Sequence, residues 1–177
     1  MDPVIMYERA ATNAVAMAQS VTADQTTLAT PCSEWDVSAL LEHMSGGGAY
    51  LMGAMGVPAN GAIWPDLTCV SECVDALRRP GALEQRCLSP VGFEWSLAEA
   101  AAGTAMDQLI HTWGLAVAIN ADRDLDAEVV EAAIEMFLPL MPEVGRRAGF
   151  VGPEVAVPPG ASARDRLLGA MGRNPEL

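Results

Sequence analysis

The chain has two histidines in 177 residues, and both stand where chemistry is conceivable. His111 lies in "MDQLIHTWGLAVAIN", residues 106–120, four positions after Asp107. On a helix, residues four apart share a face, so this carboxylate and this imidazole point the same way. Leu109 and Ile110 lie between them, which argues against a plain solvent face. A buried carboxylate needs a cation or several donors to offset its lost hydration, and a metal ion supplies that cation. His43 lies in "CSEWDVSALLEHMSGGG", residues 32–48, beside the apolar stripe of Val37, Leu40, Leu41 and Met44. Two packed helices can bring His43, Asp107 and His111 around one point. Two imidazoles and one carboxylate, with positions left open for water or substrate, make a catalytic-type site for Zn²⁺ or another divalent ion. Against this stands a plainer reading: a core histidine satisfied by a backbone carbonyl, and an i,i+4 surface contact. Spacing alone favours the plainer one. The scarcity of histidine, with both copies at inward positions, moves the balance toward a metal.

Other chemistries are excluded by composition. All ten basic residues are arginine, so no lysine is available for a Schiff base, a phosphate-binding loop or a general base. The formal charge of −13 repels phosphate backbones, so no nucleic-acid partner is expected. "MDPVIMYERA" lacks a basic stretch followed by an apolar one, so no signal peptide is read. No apolar run is long enough to span a bilayer. The expected location is the cytoplasm, where Cys32, Cys69, Cys73 and Cys87 would be reduced thiols. Cys69 and Cys73 share a helical face and read as neighbouring buried thiols. Cys69 or Cys87 as a nucleophile is the alternative, but neither has a histidine near it in sequence.

These side chains need helices to position them. Abundant Ala, Leu, Val and Met with few aromatics favour helix-on-helix packing. Helical spacing runs over about residues 3–20, with Pro3 in the first turn. A second helix opens at Ser33 as N-cap and is weakened or ended by Gly46-Gly47-Gly48. Residues 49–63 read as a frayed helix end and a loop. A third helix lies within residues 64–81 and stops at Pro80-Gly81. A short strand or hairpin is expected around residues 86–93. The longest helical pattern runs from Ser96 to about Asn120. The next helix has Asp124 as its cap, with Pro139 ending or kinking it. The tail holds a short extended piece and a last helical turn or two from Ala163. The expectation is one mainly all-α domain over residues 1–177: a four-helix bundle with a small β or irregular element and a C-terminal arm at about 150–177. Its apolar helices permit a homodimer.

Three stretches in order, "TPCSEWDVSALLEHMSGG", "DQLIHTWGLAVA" and "FVGPEVAVP" leading into "ARDRLLGAMGRNP", resemble the actinobacterial metal-binding proteins of the DinB-like superfamily. That group includes mycothiol-dependent maleylpyruvate isomerase. The resemblance runs from about Thr30 to Pro175 and implies a DinB-like four-helix bundle. It implies metal ligands at His43, Asp107 and His111, the same three residues reached from spacing. Zinc leads, with nickel or another divalent ion as alternatives. The implied activity is that of a mycothiol-dependent transferase or isomerase, acting on a small electrophile through a metal-bound thiolate. Two positions depart from the pattern. Gly114 stands where His-x-Trp-Asp usually places an acid, and Asp107 stands where Glu is frequent. These departures favour a second reading, a non-catalytic metal- or ligand-binding domain. A third is a tailoring enzyme of a specialised pathway whose pocket is lined by residues such as Trp35, Trp64, Trp95 or Trp113. Arg9, Arg78, Arg79 and Arg86 are candidate clamps for an acidic substrate or a low-molecular-weight thiol.

Overall fold

The computed structural model describes residues 1–58, 64–139 and 141–177. They form seven helices and one two-stranded sheet, so the fold is mainly all-α with a small β element, as the composition predicts. The chain packs as two compact units, Met1–Asp124 and Leu125–Leu177.

In the first unit, α1 (Pro3–Gln19), α2 (Val37–Ala54), α3 (Leu67–Leu77) and α4 (Leu97–Ile119) pack in a ring. Helix α4 lies against α1 and α2, and α3 lies against the same two. Each helix starts on an acid or hydroxyl that satisfies its orphan N–H groups. Asp2, Asp36, Asp66 and Ser96 are the four N-caps. At α4, Ser96 accepts from the Glu99 N–H while the Glu99 carboxylate accepts from the Ser96 N–H. Asn120 closes α4 in the left-handed conformation, φ 54°. The core is mainly apolar, with Ala14, Val37, Leu40, Met44 and Leu115 fully buried in one cluster.

Helix α2 differs from expectation at both ends. Its cap is Asp36 rather than Ser33, because residues 31–34 form a turn closed by the bridge between Ala29 and Asp36, and the helix begins only after Asp36, itself extended. Gly46-Gly47-Gly48 do not end it, and the helix continues to Ala54. The glycines serve packing instead. A Cβ on Gly47 would meet Thr104 Cγ2 at 2.8 Å and Gln108 Nε2 at 3.0 Å, so glycine here lets α2 lie close to α4. The expected loop beyond α2 falls partly on residues 59–63, outside the described residues.

The β element is a hairpin of β1 (Arg86–Leu88) and β2 (Glu94–Ser96), pairing Cys87 with Trp95. It reaches three residues past the expected end and runs directly into α4. One hydroxyl fastens it to the bundle: Tyr50 Oη of α2 accepts from Trp95 Nε1 at 2.7 Å and donates to the Leu88 carbonyl at 2.9 Å. Trp95 in turn lies over α4 at Gly103, where a Cβ would come within 2.8 Å of the indole ring.

The second unit contains α5 (Ala127–Phe137), α6 (Met141–Ala148) and α7 (Ala163–Ala170). Helix α5 is capped by Asp126 rather than Asp124, and it ends at Phe137, just before Pro139. Pro139 lacks the N–H a continuing helix needs. Helix α7 starts at Ala163 on its Ser162 cap and packs against α5. An extended stretch runs beside α7, where the Val155 N–H donates to the Gly169 carbonyl at 2.9 Å.

Replacing Tyr50 with Phe leaves the Trp95 indole N–H, on a residue only 8% exposed, without its acceptor. Tyr50→Phe should lose about 1–3 kcal/mol in urea unfolding, the usual cost of a stranded buried donor. A value within error of wild type would show that the clasp contributes nothing.

Candidate metal centre

Helices α2 and α4 bring the three sequence-predicted residues together. Asp107 and His111 stand one turn apart on α4, and His43 faces them from α2, next to the buried Met44. Asp107 Oδ1 is 3.3 Å from His43 Nε2 and 3.3 Å from His111 Nε2. Candidate ligand atoms of all three residues lie within 4.8 Å of one another. His111 is buried, with 8% of its side chain exposed, while His43 and Asp107 keep 38% and 37%. The cluster is therefore walled by protein on the His111 side and open to solvent on the other.

The distances suit two uses of this group. One is a pair of long hydrogen bonds from the imidazoles to the carboxylate, beyond the roughly 2.7–2.9 Å to which charge-assisted ones close. The other is a metal site. Two ligands of a tetrahedral ion with bonds of about 2.0–2.1 Å are about 3.3 Å apart, which is the spacing on both sides of Oδ1. Two neutral imidazoles and one carboxylate also match zinc's preferred donors at sites that keep a position open. The group could hold a divalent metal ion.

Two residues that the sequence did not single out as ligand partners complete the surroundings. The segment before α2 is wound tightly by Thr30, whose hydroxyl accepts from the Cys32 N–H at 3.1 Å and donates to the Trp35 carbonyl at 2.8 Å. This turn sets Cys32 Sγ at 3.8 Å from His111 Nδ1. It also lays the Trp35 indole on both imidazoles, with ring centroids 4.6 Å from His43 and 5.7 Å from His111. A sulfur at Nδ1 leaves Nε2 directed at Asp107, so Cys32 orients the ring in the way that partners behind metal-binding histidines do. Trp35 walls the site and limits how far His43 can turn. The available signal for both was their closeness to His43 along the chain. Nothing in the spacing of Cys32 revealed a contact with a residue 79 positions later.

The remaining candidates lie elsewhere. Gly114 faces Leu40 and Pro31, each 3.9 Å from where its Cβ would be. The position expected to carry an acid is thus covered by apolar side chains. Trp113 is fully buried and Trp95 belongs to the hairpin. Arg78 pairs with Glu8 at 2.7 Å, and Arg86 donates to the Glu94 carbonyl at 2.9 Å. Burial pushes the Cys73 thiol up to about 11 and raises Cys69 as well, so neither is an activated nucleophile. Cys87 lies 3.5 Å from the Tyr50 hydroxyl.

The cluster is also strongly coupled. Burial alone would push the Asp107 carboxyl upward, but His111 and then His43 outweigh it and hold the group well below the usual carboxylate range. Burial alone would lower His111, but the Asp107 charge and hydrogen bond, with Cys32 adding to them, lift it from 6.5 to about 9.

Fold and site together define a small helical protein with a His/Asp/His group able to hold a metal ion. It is 30% identical over 135 residues to two proteins of Mycobacterium tuberculosis, "Uncharacterized protein MT0763" of strain CDC 1551 / Oshkosh and "Uncharacterized protein Rv0738" of strain ATCC 25618 / H37Rv. The alignment covers 73% of this chain and 74% of each relative, and the chain belongs to their family. No family model and no solved structure matches it.

The coupling sets a pH signature for metal-free protein. Asp107, lowered when folded, contributes stability above its ordinary 3.8; His111, raised when folded, contributes fully below 6.5 and loses this as pH rises through about 9. Urea unfolding in the presence of a chelator should therefore show stability declining between about pH 6.5 and 9, and Asp107→Asn should flatten that decline. An identical slope in the variant would mean that the pair is not what titrates.

Proposed function

We propose that this protein binds one divalent metal ion, zinc first among the candidates, through His43, Asp107 and His111, and uses it on a small molecule. The observation that carries this is the single carboxylate oxygen held 3.3 Å from two imidazole nitrogens at a site open on one side. On the resemblance to DinB-like metal-binding proteins, the finer reading is a mycothiol-dependent transferase or isomerase for a small electrophile. A bound divalent ion would supply positive charge that keeps a coordinated low-molecular-weight thiol deprotonated at neutral pH.

The protein's own residues do the rest. Asp107 contributes the one negative charge of the ligand set. His111, fixed between Cys32 and Asp107, is the rigid ligand. His43, more exposed, borders the open side. Trp35 supplies an apolar wall that excludes water from one flank. A proton leaving His111 Nε2 on metal binding passes to solvent through the side where Asp107 is exposed.

One observation favours a second reading. The place expected to hold an additional acid is Gly114, packed by Leu40 and Pro31, so this chain has no side chain there to move a proton or hold a substrate. A non-catalytic metal- or ligand-binding role needs none.

Metal analysis of protein purified without added metal should find about one divalent ion per chain in wild type and almost none in His43→Ala or His111→Ala. Both variants should remain helical by circular dichroism. Metal-free wild type, or variants retaining the ion, would sink the proposal. With the ion established, mycothiol consumption across a panel of small electrophiles separates the two readings: turnover lost in His43→Ala supports the enzyme, and metal without turnover supports the binding domain.

A further inference from the structure

The run Gly46-Gly47-Gly48 lies inside α2 and begins three positions after His43. Glycine in a helix interior lowers its propensity to stay helical, so the run weakens α2 directly after a metal-site histidine. His43 is also the more exposed imidazole, with 38% of its side chain in solvent. Trp35 braces its ring, but neither helix propensity nor burial fixes the backbone that carries it.

One buried side chain on α4 does. Gln108 is 2% exposed, and its Nε2 donates to the Met44 carbonyl at 2.8 Å. That acceptor determines which end of the amide is nitrogen. Along the chain, Gln108 follows Asp107 and Met44 follows His43. The bond therefore joins α4 to α2 one residue from a ligand at each end. A Cβ on Gly47 would stand 3.0 Å from the same Nε2 and 2.8 Å from Thr104 Cγ2. The glycine that weakens the helix is thus also what admits the amide that ties it down.

Stability alone does not account for this amide. Its Oε1 is buried with no hydrogen-bond partner among the described residues. A buried polar atom left unpaired costs free energy, and methionine would occupy the space without stranding an oxygen. What the amide adds is a defined separation. A hydrogen bond holds its partners within a narrow range of distance, whereas apolar burial is non-directional. A metal centre needs that definition, because bonds of about 2.0–2.1 Å leave ligand atoms little freedom.

Building on the metal reading, we propose that Gln108 is a positioning residue for the metal centre. Through the Met44 carbonyl it sets the separation of α2 and α4 that keeps His43 beside Asp107, and Gly47 makes the room this requires.

Two measurements on full-length, chelator-treated protein test this: Zn²⁺ affinity by competition with a chromophoric chelator, and the visible spectrum after loading with Co²⁺. Gln108→Met removes the donor at similar size. It should weaken Zn²⁺ by about tenfold, the lower end of the range for groups that support metal ligands, and alter the Co²⁺ bands as His43 withdraws. The urea midpoint of the metal-free variant should move little, because the stranded oxygen leaves with the donor. Gly47→Ala presses on the same contact from α2 and should weaken Zn²⁺ as well, so the test stands even if Gln108→Met fails to fold. Tyr50→Phe, which loosens the hairpin and touches no ligand, should keep wild-type affinity and spectrum. Wild-type affinity and spectrum in Gln108→Met or in Gly47→Ala overturn the positioning role and leave the metal reading intact. An equal loss in Tyr50→Phe also overturns it, since any destabilisation would then have the same effect. If wild type takes up neither ion, the metal reading fails and this role fails with it.

Discussion

Everything in the first unit hangs on the burial of α4. Sixteen of its 23 residues are buried, which requires a helix that is apolar nearly all round. Its Ala and Gly residues let neighbouring backbones come close, and Trp113, Leu115 and Leu109 fill the space between. Beyond its first turn, α4 carries a single acid, Asp107. A lone carboxylate on such a helix is costly unless positive charge or donors meet it. His111 on the same face and His43 from α2 meet it here. The polar cluster is thus an answer to a problem set by the packing, and the same packing makes its geometry rigid.

Rigidity at the cluster is uneven, and the unevenness has chemical meaning. His111 is held at both ring nitrogens and buried. His43 is braced by Trp35 on one face and bordered by solvent on another. One imidazole is thus enclosed and the other borders solvent, so a change on the open side meets His43 before His111. The segment from Thr30 to Asp36 controls both, since its single turn places Cys32 behind one histidine and Trp35 against the other. Positioning is therefore delegated to a short stretch outside the helices that carry the ligands.

Much of this was readable from residue order. The helical periods of α1, α3 and α4, the hairpin before α4 and the start of α7 at Ala163 follow from apolar spacing and capping chemistry. His43, Asp107 and His111 emerged because histidine is scarce and both copies adjoin apolar stripes. What failed to show depended on contacts far apart in sequence. Gly46-Gly47-Gly48 look like a helix stop, yet the helix continues because α4 presses against it there. Ser33 and Asp124 look like caps, but caps are decided by where the backbone leaves its extended path, and Asp36 and Asp126 stand at those points. The contact of Cys32 with His111 arises only once α4 lies beside the turn before α2.

The packing around Gly114 bears on what this position can accommodate. Leu40 Cδ2 and Pro31 Cδ each lie 3.9 Å from where a Cβ here would be. A carboxylate introduced at residue 114 would start beside a leucine methyl and a proline ring, neither of which offers a donor to compensate it. Pro31 belongs to the same turn that delivers Cys32 and Trp35, so a substitution that displaced it would reach the supports of both histidines. Residue 114 and the turn before α2 are therefore constrained together.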